Sequence, residues 1–209
     1  MITTKKPQVK ETVGSQYYAF NNLADPTDFD VSKYEADVVK TDTVKKIGVT
    51  ENIESTTVKA SGQDYTTVNK TASYDFAVDN VAVDPDDLAK MRGENIDVGG
   101  LITSGSDNIR PYFAYGKVVK KLGGGFRFEW YPKCQLVENS DDIETKEEGF
   151  KEQNDTLTIR AFAFDKAGNI RNYIDSESAN FPKGITEEKF FSAPIITKED
   201  LAKIVAPIV

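Results

Sequence analysis

The sequence predicts a mainly β protein, an antiparallel β-sandwich or barrel-like fold with one short flanking α-helix and extended loops and arms. The runs Pro111–Lys117 and Phe126–Lys133 alternate with a period of two around Leu122–Gly125, which indicates a β-hairpin with a glycine turn. The 209 residues include 12 Phe and 9 Tyr, which supply apolar bulk in residue types that favour strands. The best helix signals occupy one short segment, Asp84–Gly93.

Three more strand signals precede this helix. Tyr17–Asn21 alternates as a first strand, Lys45–Ile53 carries an apolar face that continues extended to Ala60, and Ser73–Val83 alternates cleanly. The polar, glycine-bearing segment Ser61–Asn69 separates the last two, which predicts a hairpin with a long loop at its tip. In its second strand, one face carries Tyr74, Phe76 and Val78, and the other carries Asp75, Ala77 and Asp79. This pattern is typical of a sheet with one face on a core.

The helix prediction, at about residues 85–92, depends on its ends. Asp84 is the expected N-cap, Pro85 occupies the first turn, and Gly93 ends the helix. Leu88 and Met91, three residues apart, would face the sheet.

Two further elements follow the opening hairpin. Leu157–Asp165 and Ile170–Ile174 flank Lys166–Asn169 and predict a second hairpin. Thr197 begins a helix signal that continues through Asp200. We divide the chain into an N-terminal arm (1–12), a β domain (13–180, with a long acidic loop at 23–42) and a C-terminal arm (181–209), which packs on the domain or on a neighbour.

Composition disfavours several classes of function. The formal charge of −8 disfavours a nucleic-acid-binding protein, and the absence of His removes the most used general base and zinc ligand. The one Cys, Cys134, allows no intrachain disulfide and is expected to be a passive buried thiol. Without an apolar run of about 18 residues or a signal peptide, the chain is expected to have no membrane partner and to be made in the cytosol.

No catalytic, cofactor or metal site is predicted. Adjacent acids such as Asp141-Asp142 and Glu147-Glu148 do not face each other across a bond as glycosidase carboxylates do. Gly123–Gly125 joins two strands and lacks the helix of a phosphate-binding loop. The Asp25, Asp28 and Asp30 triplet lacks the Gly and Glu of a calcium loop. Trp130, with Phe126 and Phe128, could form an aromatic binding strip, although alternate aromatic residues on one strand are more often core.

Cations are concentrated around the opening hairpin. The segment has a net charge of +4, because Glu129 is the one acid among five cations. These cations are Lys117, Lys120, Lys121, Arg127 and Lys133. Together with the acidic loops, this favours a polarised molecule suited to head-to-tail contacts between identical subunits. An accidental basic surface is the alternative.

The hairpin also resembles a known family, the major tail proteins (tail tube proteins) of long, non-contractile-tailed bacteriophages of the siphovirus type. Pro111–Lys117 is similar to the family's Pro-Tyr-x-Ala-x-Gly strand, Phe126–Lys133 to its Arg-Tyr-x-Trp strand, and Val137–Phe150 to its acidic loop, with Glu144-Thr145-Lys146 inside. Val13-Gly14 and Asp155–Arg160 extend the likeness. Residues 23–42 resemble an added loop, and Cys134 stands where a glycine is expected.

The resemblance implies a structural virion protein with the tail tube fold, and no enzyme. It implies hexameric rings whose strands join in a continuous β-barrel around a lumen, stacked into a tube that conducts the genome. Implied partners are further copies of the chain, a tape measure protein inside the tube, the tail terminator and distal tail or baseplate proteins at its ends, and passing DNA. Such a chain is made in the host cytoplasm and carried in the virion tail. The rival class is a β-sandwich adhesion or host-binding module of a virion or cell surface.

Two sets of contact residues follow from the pattern. The hairpin tip, with Gln63, Asp64, Tyr65 and Thr66, is the candidate contact to the adjacent ring because a Tyr stands at the centre of a polar segment. Asp75 and Asp79 share the non-core face of their strand and are candidates to face the lumen. An ordinary outer surface is the alternative for that face.

Overall fold

The protein, in a computed structural model that describes residues 4–141, 143–145 and 152–205, is built on one antiparallel sheet. The strands of that sheet are β1 (Lys10–Phe20), β2 (Val39–Thr41), β3 (Val44–Ala60), β4 (Gln63–Asn80), β7 (Phe113–Lys121), β8 (Phe126–Asp141), β9 (Asp155–Ala161) and β10 (Asn172–Asp175). A separate small hairpin comprises β5 (Asn95–Ile96) and β6 (Ile102–Thr103). The helices are α1 (Pro85–Arg92), α2 (Glu187–Phe190) and α3 (Lys198–Ile204). The mainly β, antiparallel fold class is therefore confirmed.

The strand order is β2-β1-β7-β8-β9-β4-β3, and β10 also pairs with β8. Ala161 of β9 lies opposite Cys134, and Asn172 of β10 lies opposite Trp130, so both strands run along β8 in the same direction. The predicted hairpin between these strands is wrong. The chain does turn tightly between Asp165 and Asn169, but it returns to β8 and not to β9.

The hairpin of β7 and β8 lies where the sequence predicts it. Gly116 pairs with Trp130, and the turn places Gly123 and Gly124 at φ of 88° and 85°, in the left-handed region that glycine tolerates best. The helix α1 also matches its prediction. The Asp84 carboxylate accepts the first-turn N–H groups, and Gly93 closes the helix at φ 67°.

The sheet curls around an inner core. Side chains from five strands and from α1 meet there, including Tyr18, Phe76, Tyr115, Tyr131 and Met91. The sheet is not closed, because no strand pairing joins β1 to β3 within the described residues. A cleft of about 400 Å³, lined by both strands and by β7, marks this opening.

A second core lies on the outer face of β1, β7 and β8, where the C-terminal segment, residues 181–205, covers it. The ring of Phe191 stacks on Tyr17 at 3.9 Å, and Trp130 donates its indole N–H to the Phe190 carbonyl at 3.1 Å. Asn172 ties the segment down further by donating to the carbonyls of Ile195 and Ile196. Trp130 is therefore a core residue. Over the described residues, the C-terminal arm packs on its own domain.

We predict that Phe191→Ala lowers the free energy of unfolding by about 3–5 kcal/mol, because it removes a buried ring and leaves a cavity. Urea denaturation would measure this loss. Ala193→Ser, at an exposed position two residues further on, is the control and should stay within about 0.5 kcal/mol of wild type. Equal stability of the two variants would mean that the segment does not anchor the outer face.

Candidate assembly surfaces

The hairpin of β3 and β4 continues as a two-stranded ribbon, Asn52–Ser73, beyond the rest of the sheet. β9 covers β4 only from Tyr74 to Asn80, and β3 is the last strand of the sheet. Both edges of the ribbon are therefore unpaired in the described part of the chain. By register, Tyr74 lies level with Ala161 and Cys134, so the ribbon extends towards the end of the sheet where β7 turns into β8.

The long loop predicted at Ser61–Asn69 is wrong, because the strands continue to a turn of two residues. Ser61 and Gly62 have φ of 53° and 77°, as a two-residue hairpin turn of type I′ requires. Polar cross-strand pairs hold the ribbon together, such as Ser55 with Asn69 at 2.7 Å. Polar strands exposed on both faces lack the apolar alternation by which sequence reasoning recognises a strand.

The four candidate inter-ring residues Gln63, Asp64, Tyr65 and Thr66 all lie at this tip and are exposed. Tyr65 is 77% exposed and sits at a bulge between the pairs of Val58 with Thr66 and Lys59 with Asp64. Ile53, Val58 and Val68 are also exposed along the ribbon. Because a two-stranded hairpin is marginally stable alone in water, these apolar side chains and free edges suit a partner surface.

The candidate lumen residues Asp75 and Asp79 share the non-core face of β4, as predicted, but they are half-buried. Asp75 accepts two hydrogen bonds from the Arg160 guanidinium, at 2.6 and 2.9 Å, and these bonds lower the pKa of its carboxyl. Asp79 accepts from the Thr156 hydroxyl at 3.3 Å. Asp75 is thus neutralised within the chain. The exposed Lys46 lies opposite Asp79, and the other neighbours on this face carry small or polar side chains, namely Gly48, Thr50, Ala77, Thr156 and Thr158.

The predicted basic surface is wrong for three of its five cations. Lys117, Lys121 and Arg127 point to the inner face at the turn end of β7 and β8, where ion pairs hold them. Lys117 meets Glu129 at 3.0 Å, and Lys121 meets Asp175 at 2.6 Å and also Glu177. Arg127 meets Asp175 at 2.8 Å. Lys120 is exposed, and Lys133 lies over the rings of Tyr112 and Phe29.

Carboxylates at the centre of this network stay ionised. Burial would raise the pKa of Glu129, but Lys117, the Tyr131 hydroxyl and Arg171 outweigh it and hold that pKa below its usual value. Burial would also raise the pKa of Asp175, but Lys121, the Glu177 backbone N–H and Arg127 outweigh burial and lower that pKa to about 2. Sequence reasoning missed the network, although the period of two places Lys117 and Glu129 on the faces of Tyr115 and Tyr131.

The acidic loops show no sign of a cation site. Asp25 accepts from the backbone and hydroxyl of Thr27, and Asp30 does the same with Ser32, so both carboxylates close local turns. Over residues 4–141, 143–145 and 152–205, no group of His, Cys, Asp or Glu could hold a metal ion. Within the same ranges, every helix is too short to cross a membrane. Of the acidic loop at Val137–Phe150, residues 142 and 146–150 lie outside the described residues, and with them Asp142, Lys146, Glu147 and Glu148.

Cys134 is a free and fully buried thiol. Its Sγ lies 3.3 Å from the Tyr131 carbonyl, and burial raises its pKa far above the usual range. The thiolate is therefore suppressed, as expected for a passive core cysteine.

Comparisons with known proteins add little. No protein-family model and no curated protein matches the chain. Among solved structures, one match is the cryo-EM structure of the anti-feeding prophage (AFP) baseplate, 6-fold symmetrised, at 8% identity and a TM-score of 0.44, covering 84% of this chain and 100% of that one. So low an identity and TM-score support no inference about function.

We predict that the network makes stability depend on pH below pH 5. The folded pKa of Asp175 is about 2, against 3.8 for the free side chain, so its contribution is present above about pH 4 and is lost as the pH falls towards 2. At about 1.4 kcal/mol per pKa unit, that contribution is about 2 kcal/mol. Urea denaturation between pH 7 and pH 2 should show a smaller loss for Asp175→Asn than for wild type. Asp64→Asn, at the exposed tip, is the control, and identical curves for all three proteins would contradict the prediction.

Proposed function

We propose that this chain is the structural subunit of a bacteriophage tail tube, which self-assembles into stacked hexameric rings and forms the conduit for genome delivery. The resemblance of Pro111–Lys117 and Phe126–Lys133 to major tail proteins supports this proposal. The strands with that likeness form the central hairpin of the sheet, β7 and β8. The proposal therefore concerns the whole domain and not an appended segment.

The ribbon Asn52–Ser73 is the observation that carries the proposal. A ribbon with two free edges and both faces in water exposes a row of unpaired backbone N–H and C=O groups, which pair readily with another strand. A natural protein keeps so long an edge where an assembly covers it. Identical copies arranged in a ring can cover one another's edges without leaving any free, as strands do in a closed barrel.

The face of Asp75 and Asp79 fits the wall of such a barrel. Its small and polar side chains would leave a smooth surface, and the Arg160 guanidinium is already held by Asp75. DNA carries about one negative charge per 1.7 Å of its axis, so a wall on which Lys46 lies opposite the carboxylate of Asp79 lets it pass without tight binding. We assign the lumen to this face.

The remaining parts of the proposal follow from the tube. The partners are further copies of the chain, with a tape measure protein inside the tube and terminator and baseplate proteins at its ends, and the location is the virion tail. Negative-stain microscopy of the purified chain tests this directly. Rings or tubes support the proposal, whereas monodisperse monomers at high concentration would favour a β-sandwich adhesion module.

We predict that a shortened ribbon abolishes assembly without unfolding the domain. Removing Thr56–Ala60 and Gln63–Val68 leaves Ser55 opposite Asn69 across the natural Ser61-Gly62 turn, so the register of the remaining strands is kept. The variant should unfold like wild type in urea but remain monomeric by light scattering. Tyr65→Ser, which changes only the bulge, is the matched control and should weaken assembly without abolishing it. Normal tubes from the shortened protein would exclude the ribbon as an assembly element.

We predict that Asp79→Lys builds normal tubes but slows the passage of DNA at low salt. Asp79 makes only a long hydrogen bond to Thr156 and lies opposite the exposed Lys46, so the change should cost at most about 1 kcal/mol through like-charge repulsion, while it adds a ring of phosphate-binding cations to the wall. Asp75 is unsuitable for this test, because its reversal would break two hydrogen bonds to the half-buried Arg160 guanidinium. The measurement is the rate of genome ejection at low and high salt. Equal rates under both conditions, with tubes of normal shape, would place Asp79 on another surface.

A further inference from the structure

The hairpin of β5 and β6 presents an apolar tip. Val98 is fully exposed and Leu101 is 65% exposed, while Gly99 and Gly100 between them leave both side chains uncovered. Exposed Val and Leu side chains at one hairpin tip form a small apolar knob, which we define as Val98–Leu101. Within the described chain, nothing packs over it.

The knob is held in one conformation. The Asp97 carboxylate accepts the backbone N–H groups of Gly99 at 2.8 Å and Leu101 at 3.1 Å, and the Asp97 backbone N–H donates to the Leu101 carbonyl at 3.1 Å. Gly100 donates to the Asp97 carbonyl and has a φ of 79°. A loop that is already ordered loses little entropy on docking, so these bonds suit a contact element.

An apolar cleft of about 450 Å³ lies at the opposite end of the molecule, on the outer face beside the turn of β7 and β8. Val118, Phe126, Phe128 and Ile185 form its apolar lining. Among its charged lining residues, Lys121 and Glu187 are engaged within the chain, by Asp175 and by the Tyr17 hydroxyl respectively, while Glu11 and Lys120 are exposed. The part of the cleft open to solvent is thus apolar, with the exposed ammonium of Lys120 and the exposed carboxylate of Glu11 at its rim.

Knob and cleft cannot meet within one copy. The knob lies on the side of Arg110, before β7 begins, and the cleft lies beside Gly124, after β7 ends. The nine residues of β7 separate them by about 30 Å at about 3.3 Å per residue. A projection and a hollow at opposite ends of one chain generate head-to-tail contacts, which stack copies instead of closing a pair.

Charge does not oppose this arrangement. The segment Glu94–Asp107 around the knob has three acids and no base, and the exposed side chains of Lys120 and Glu11 at the rim of the cleft cancel each other's charge. The ribbon also extends towards the cleft end of the sheet, so this end and the knob end would meet in successive copies.

We propose that Val98–Leu101 of one copy inserts into the cleft of Val118, Phe126, Phe128 and Ile185 of the next copy along the tube axis. The inference rests on the proposed tube, since it assigns its inter-ring contact, and it names a second copy of this chain as the occupant of the cleft.

Cross-linking between two variants that each carry one added cysteine tests the contact. Leu101→Cys and Lys120→Cys, each with the buried Cys134 retained, are mixed, assembled and treated with a short bismaleimide. A covalent dimer that joins the two positions, mapped by peptide mass, is the expected result. Lys166→Cys, in the exposed turn after β9, replaces Leu101→Cys in the control mixture and should give no such dimer.

The outcomes separate this inference from the proposed function. Tubes without the specific cross-link overturn the knob contact and leave the tube intact, in which case another segment occupies the cleft. Cross-linked head-to-tail oligomers that never form tubes support the contact and overturn the tube. Absence of both tubes and cross-link at every protein concentration overturns both.

A pair of knob variants gives a second readout. Val98→Asp with Leu101→Asp should fold normally, because both side chains are exposed, and should raise the protein concentration needed for assembly at least about tenfold. Val98→Leu with Leu101→Val keeps the knob apolar and should assemble within about twofold of wild type. Equal thresholds for the two double variants would overturn the contact.

Discussion

The strand β8 imposes the constraint on which the rest of the structure depends. Its consecutive residues Trp130 and Tyr131 point to opposite faces of the sheet, and both are completely buried. A strand that is apolar on both faces needs two coverings. The sheet supplies the inner one by curling until Phe76 of β4 meets Tyr131 at 4.6 Å, and the C-terminal segment supplies the outer one through Phe190 and Phe191. The fold is thus built around one hairpin, β7–β8, which the curled sheet covers on its inner face and the C-terminal segment covers on its outer face.

The two coverings end at different places, and the uncovered parts are the candidate contacts. At the turn end of β7 and β8, the inner face changes from aromatic to charged side chains. No strand closes the curled sheet there, and the buried cations Lys117 and Lys121 are each paired with carboxylates. The C-terminal segment leaves the apolar cleft open at the same end. The ribbon passes the same end with both edges free. One end of the molecule therefore carries the open cleft and the free ribbon edges, whereas the apolar knob lies at the other end.

The sequence predicts the elements whose signals are local. The β7–β8 hairpin follows from a glycine turn between alternating strands, and α1 follows from Asp84, Pro85 and Gly93, since turns and caps are decided by neighbouring residues. The pairing of β10 with β8 is not local, and a turn at Lys166–Asn169 looks the same whether or not its flanking strands pair. The sequence does not predict the ribbon, for a different reason. Its strands are polar on both faces, so the alternation of apolar and polar residues that indicates a half-buried strand is absent.

The charges on the ribbon oppose indiscriminate pairing of its exposed edges. Glu54 lies opposite Lys70 and Lys59 opposite Asp64, and Lys59 and Asp64 approach within 3.9 Å, so charges of opposite sign lie across the ribbon inside one copy. A strand that approaches from outside must bring its own backbone groups past these long side chains, which disfavours random pairing. Pairing with an identical copy meets a known and repeated charge pattern, whereas pairing with an unrelated strand does not. In the proposed assembly, these charges would therefore favour a single register of edge pairing between copies.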